Sequence, residues 1–122
     1  MKMRKLADSF KYARDGIKKA FVDERNFRIH CVAAVLVVIL GIILGLSLVE
    51  FAVIIFVTGF VLAAELINTA IENTVNMITR EYSEEAKLIK DISAGFVLIA
   101  AVTAAFVGVF IFVGSFFRLI GE

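Results

Sequence analysis

Uncharged residues run without a break from Ile29 to Val49 and again from Ile92 to Phe117, over 21 and 26 positions with His30 taken as neutral. About 20 apolar residues in a helix cross a hydrocarbon core of about 30 Å, so both runs meet the requirement for a membrane span. Between them, residues from Phe51 to Ile78 are interrupted in charge only by Glu65 and Glu72, and the polar positions fall late in the stretch. Averaged over a window, this segment also reads as a span. Backbone polar groups in lipid must be bonded within the segment, and no run alternates as a strand would, so all three are expected to be helices. The pattern places them at residues 29–49, 51–79 and 92–117. It expects a tight turn over residues 46–50 and a polar loop over residues 80–91 with three basic and four acidic side chains.

Ahead of the first span, Leu6, Phe10, Ala13, Ile17, Ala20 and Phe21 recur every three or four residues. Lys2, Lys11, Arg14, Lys18 and Lys19 lie mainly off that face. Residues 1–28 therefore predict an amphipathic helix in the headgroup region, held by its apolar face and by anionic lipid. Its charge is spread over its whole length, unlike the short basic region of a cleaved signal.

Composition narrows the class further. With 61% hydrophobic residues, mean hydropathy of +0.94, no proline and Cys31 as the single cysteine, disorder and a disulfide scaffold are both excluded. The 13 basic and 12 acidic residues nearly cancel, but residues 1–30 carry a local net of +5. Basic residues near span ends favour the cytoplasmic side, which sets the N-terminus and the 80–91 loop inside and the C-terminus outside. The expectation is one all-α integral domain over residues 1–122 in the cell membrane, multi-pass, with no nucleic-acid partner.

The second span carries the candidate chemistry. Within residues 65–76 stand two carboxylates and three amides, where an ionisable group at mid-bilayer costs roughly 2.5–3.5 kcal/mol or more. Glu65, Asn68, Glu72 and Asn76 are spaced by three, four and four residues, which aligns them on one helix face. An oligomerisation seam would explain a lone amide better than a pair of acids, because interhelical bonds in membranes are worth only about 0.6–2 kcal/mol. Asp23, Glu24, Lys90 and Asp91 cluster at the same membrane level, where acidic oxygens suit a hard cation such as Mg²⁺. Zinc-ligand spacing and a P-loop motif are both missing. His30 is expected to be an interfacial or helix-packing residue, and Cys31 inert packing.

Glu24-Arg25-Asn26-Phe27-Arg28-Ile29-His30, Glu65-Leu66-Ile67-Asn68-Thr69-Ala70-Ile71-Glu72, and residues 86–95 around Lys90-Asp91 together resemble the small prokaryotic lipid kinase family of diacylglycerol kinase and undecaprenol kinase. The first string is similar to the undecaprenol kinase branch. The resemblance implies a homotrimeric bundle of three-span subunits, each with a surface helix and with sites formed between subunits. It further implies transfer of the ATP γ-phosphoryl group to a lipid alcohol, with Mg²⁺ as cofactor and ATP as co-substrate. By family position, Glu65 is the catalytic base, while Glu24 and Glu72 bind the metal. Nucleotide contacts are implied for Tyr12, Glu24, Glu72, Glu81, Tyr82, Ser83, Lys90 and Asp91, and substrate contacts for Lys5, Arg28, Glu65, Asn68 and Ala94. Asn76 stands where the family usually has Asp, and Ala94 has no hydroxyl to offer a lipid. The implied acceptor is undecaprenol, with diacylglycerol as the alternative. From another class, a small ion-translocating subunit would explain Glu65 but not the charges gathered around it, and a structural adaptor would give that carboxylate no task.

Overall fold

The computed structural model describes residues 2–121. The side chains of Lys2 and Arg4, which belong to the expected basic collar, lie outside the described residues. The chain folds into four helices in sequence: α1 (Lys2–Asp23), α2 (Arg25–Leu44), α3 (Leu48–Ile78) and α4 (Glu84–Gly121). Among the described residues there is no strand, and three helices, α2, α3 and α4, are long and apolar enough to cross a membrane. The all-α, multi-span architecture expected from the charge-free runs is therefore present.

The helix boundaries differ from the apolar runs, and local chemistry explains each difference. Residues 1–28 were expected to form one surface helix, but α1 ends at Asp23 and Glu24 breaks it with extended backbone (φ −108°, ψ 108°). Arg28 closes this break, its Nη1 donating to the carbonyls of Phe21 and Val22 at 2.9 and 2.8 Å. Those carbonyls belong to the last turn of α1, which has no partners of its own for them. At the far end, α2 stops at Leu44 rather than at position 49, because Gly45 adopts a left-handed conformation (φ 68°, ψ 47°) and the Leu46 N–H turns back to the Gly41 carbonyl at 3.0 Å. Gly41 admits this turn, since a Cβ there would stand 2.8 Å from Leu46 Cδ1.

Helix α3 begins three residues earlier than expected. Ser47 and Glu50 form a capping box, with the Glu50 N–H bonded to Ser47 Oγ at 3.1 Å and the Ser47 N–H to Glu50 Oε1 at 3.0 Å. The anticipated 80–91 loop shortens to residues 79–83. Ser83 Oγ accepts from the Ala86 N–H at 3.3 Å, Glu84 and Glu85 occupy the first turn, and α4 runs from there through the third apolar segment.

Short connections make α3 antiparallel to both α2 and α4. The α3–α4 pair is the most extensive contact, built on Val61, Ala64 and Ala100 with Val97 and Ala104 beside them. Ala64 and Ala100 are 0% and 3% exposed, and such small residues let two backbones approach where lipid offers no hydrophobic drive for helix association. Phe60 and Phe96 add an edge-to-face pair with centroids 5.8 Å apart. At the turn end, Arg118 Nη2 donates to Glu50 Oε1 at 2.7 Å, and the buried Ser115 donates to the Leu44 carbonyl at 3.2 Å. Most other large apolar side chains face outward, as lipid contact requires.

Helix lengths fix the depth of the site. At about 1.5 Å per residue, Glu65 lies about 26 Å along α3 from Leu48, close to the far edge of a hydrocarbon core about 30 Å thick. A core that began at Leu48 would thus end near Glu65, with Glu72 and Asn76 past its edge.

Candidate active site

Helix α3 holds the expected polar stripe against its neighbours: Glu65 is 5% exposed, while Asn68, Glu72 and Asn76 are half-buried. Each is engaged. His30 Nε2, on α2, stands 3.3 Å from Glu65 Oε1. Ser93 Oγ, buried on α4, donates to Asn68 Oδ1 at 2.7 Å, and Asn68 Nδ2 reaches Glu72 Oε1 at 3.5 Å. Lys90 Nζ donates to Asn76 Oδ1 at 2.7 Å. The stripe thus ties α3 to α2 at its buried end and to α4 over the next three turns.

Glu24 joins this group from the α1–α2 break. It occupies the N-cap position of α2, yet its carboxylate makes no capping bond. Glu24 and Glu72 both stand near enough to act on Glu65 through their charges, at the same end of the bundle. Neighbouring Asp23 is occupied differently, paired with Lys19 at 2.9 Å. That bond and the Asp23 charge raise the Lys19 ammonium above its ordinary value.

Three cavities surround the end of α3. One of about 410 Å³ is lined by Glu81, Tyr82, Ser83, Lys90 and Asp91, all expected to contact nucleotide, together with Arg80 and Lys87. A second, of about 500 Å³, is formed by Asn73, Asn76, Met77 and Arg80. The third, of about 280 Å³, reaches Lys19, Asp23 and Glu24 at the helix break and shares Asn73 with the second. Asn73 lines both the second and the third, Asn76 and Arg80 line both the first and the second, and Lys19, Arg80, Lys87 and Lys90 stand in their walls, whereas Glu65, Asn68 and Glu72 line none of the three. Lys5, Tyr12 and Ala94 are exposed and line none of these cavities, while the Arg28 guanidinium is committed to the end of α1.

Among the described residues no three His, Cys, Asp or Glu side chains converge closely enough to hold a metal by themselves. Mg²⁺ ordinarily takes one or two carboxylates and completes its shell with phosphate oxygens and water.

Three side chains of this region were missed by the sequence reasoning. His30, expected as an interfacial or helix-packing residue, does lie where α2 packs against α3, beside the most buried carboxylate. Ser93, Asn73 and Arg80 were passed over; of these Ser93 had a visible signal, as the one polar residue at the head of the last apolar run.

The fold and these side chains define a multi-pass membrane protein with an ionisable site at one end of its helix bundle. Residues 11–112 match the prokaryotic diacylglycerol kinase family. The chain is 39% identical over 110 residues to undecaprenol kinase of Bacillus subtilis (strain 168), covering 90% of this chain and 89% of that protein. It is 42% identical over 104 residues to diacylglycerol kinase of Synechocystis sp., covering 84% of this chain and 59% of that one. With diacylglycerol kinase of Escherichia coli (strain K12) it shares 32% identity over 93 residues, 76% of each chain. The chain belongs to the prokaryotic diacylglycerol kinase family of membrane lipid kinases. It is a phosphotransferase acting on an alcohol, and family membership displaces the ion-translocating and adaptor alternatives.

Proposed function

We propose that this protein phosphorylates undecaprenol with ATP and Mg²⁺ at the cytoplasmic face of the membrane, giving undecaprenyl phosphate. The observation that carries the proposal is the approach of Glu24 and Glu72 to the buried Glu65 at the end of the bundle where Lys19, Arg80, Lys87 and Lys90 line open cavities. A polyisoprenoid alcohol keeps its chain in lipid and its hydroxyl at that end, while a nucleotide approaches from water. The +5 N-terminal segment supports a cytoplasmic site.

In this account Glu65 accepts the proton of the lipid hydroxyl as its oxygen attacks the γ-phosphorus. The bond between that phosphorus and the bridging oxygen breaks, and ADP leaves with the electron pair. Phosphoryl transfer needs little covalent work from the protein, so positioning and charge neutralisation carry the catalysis. Glu24 and Glu72 would hold Mg²⁺, which supplies charge neutralisation on the phosphates when bound. Lys90, with Arg80 and Lys87 nearby, contributes fixed positive charge, and Glu81, Tyr82, Ser83 and Asp91 surround the nucleotide. Asn68, held by Ser93, orients Glu72 and the acceptor. Tyr12 contributes once α1 closes over the nucleotide, Lys5 and Arg28 attract or position lipid, and Ala94 borders the chain. Sites completed between subunits of a homotrimer supply the enclosure that three helices lack, and the domain spans residues 1–122.

Undecaprenol is favoured by the Glu24-Arg25-Asn26-Phe27-Arg28-Ile29-His30 string and by the near full-length match to a relative named for it. Diacylglycerol is the second candidate, because the relative at 42% identity is named for that acceptor. Labelled ATP with a panel of lipid alcohols in vesicles, resolved by thin-layer chromatography, tests both. The expected product is undecaprenyl phosphate; a strong preference for diacylglycerol overturns the acceptor, and no lipid product at all overturns the reaction.

A further inference from the structure

We propose that His30 is a positioning residue that sets the orientation of the Glu65 carboxylate toward the acceptor hydroxyl; this rests on Glu65 being the base. Glu65 is nearly enclosed, and His30 on the neighbouring helix brings Nε2 to 3.3 Å from its Oε1. The last torsion of a glutamate is broad and two-fold, so a carboxylate without a partner samples many orientations. Fixing Oε1 leaves Oε2 to meet the hydroxyl.

The second observation is where His30 stands. It also lines an apolar cavity of about 200 Å³ between α2, α3 and α4, whose walls include Ala34, Val61, Ala104 and Gly108. The imidazole therefore borders both this apolar cavity and the buried acid, and a hydroxyl carried on a hydrocarbon chain would reach the acid from such a cavity. An imidazole suits this task better than lysine or arginine. A permanent cation there would compete with the hydroxyl proton for the carboxylate. The other charges acting on Glu65 are the acids Glu24 and Glu72, which cannot donate a hydrogen bond when ionised.

Steady-state kinetics of the full chain in vesicles, varying ATP and lipid alcohol separately, test the assignment. His30→Ala is expected to lower kcat at least about tenfold while each KM moves less than about threefold, as loss of orientation at the reacting centre predicts. His30→Gln, which retains an N–H donor at similar reach, is expected to recover kcat to within about threefold of wild type. If the alanine variant does not fold, the apolar His30→Leu replaces it in the comparison with glutamine. Wild-type kcat in His30→Ala or His30→Leu, glutamine as slow as either, or a loss confined to the lipid KM each overturns the positioning role. Glu65→Gln is measured alongside: if it turns over normally, Glu65 is not the base, a different failure from an inactive Glu65→Gln beside a fully active His30→Ala.

Discussion

Ser93→Ala removes one oxygen and creates almost no steric change, yet it acts on the site through two bonds. Ser93 is 4% exposed, donates to Asn68 Oδ1 at 2.7 Å, and thereby leaves Asn68 Nδ2 to reach Glu72 Oε1 at 3.5 Å. Without the hydroxyl, the Asn68 amide loses its anchor on α4 and is free to rotate away from Glu72. Interhelical side-chain bonds in membrane proteins are worth about 0.6 kcal/mol on average and at most about 1.7 kcal/mol. At a factor of ten per 1.4 kcal/mol, transfer of that whole energy to the placement of Glu72 changes an equilibrium by about 3- to 20-fold. The Mg²⁺ concentration for half-maximal rate should rise by that factor, with the rate at saturating Mg²⁺ changed less than about threefold. The assay is a Mg²⁺ titration at fixed ATP in vesicles, with Ser115→Ala as control. Ser115 is equally buried but bonds the Leu44 carbonyl at the opposite end, so its loss should lower stability and leave the titration in place. An unchanged Mg²⁺ midpoint in Ser93→Ala, or an equal shift in Ser115→Ala, refutes the chain of bonds from α4 to Glu72.

Three further outcomes are expected. Gly45→Ala forces an L side chain into a left-handed conformation at a cost of about 1–2 kcal/mol, which thermal inactivation should register; an unmoved midpoint contradicts the C-cap assignment. Lys90→Ala should raise the ATP KM and weaken its dependence on salt, because Lys90 both bonds Asn76 and lines the nucleotide cavity; destabilisation with an unchanged KM would make it a helix tie alone. Arg28→Ala removes the donor to both carbonyls at the end of α1 and should speed proteolytic cutting near Glu24 while raising the lipid KM; an unchanged cutting rate would take Arg28 out of the helix break.

The three spanning helices were legible because bilayer thickness demands long charge-free runs, and residues 29–49 and 92–117 supply them whatever their detailed packing. Helix ends were less so. Ser47 and Glu50 spell a capping box, but the charge on Glu50 read as the end of an apolar run when it was the start of a helix. The stripe of Glu65, Asn68, Glu72 and Asn76 was visible because three- and four-residue spacing is a property of one helix. Its partners were not. His30, Ser93 and Lys90 meet the stripe through the registers of α2 and α4 against α3, and periodicity within a single helix carries no information about register. For the same reason the acid that His30 meets was hidden, since it lies 35 positions further along the chain.

The central claim, that a carboxylate at the hydrocarbon edge takes the proton of a lipid alcohol during phosphoryl transfer, is met most directly by one pair of measurements on Glu65→Gln. In vesicles, lipid phosphorylation should fall at least about a hundredfold, the scale of a lost general base, while nucleotide affinity stays within about threefold of wild type. Retention of more than about a tenth of the wild-type rate, with the same lipid product, contradicts it.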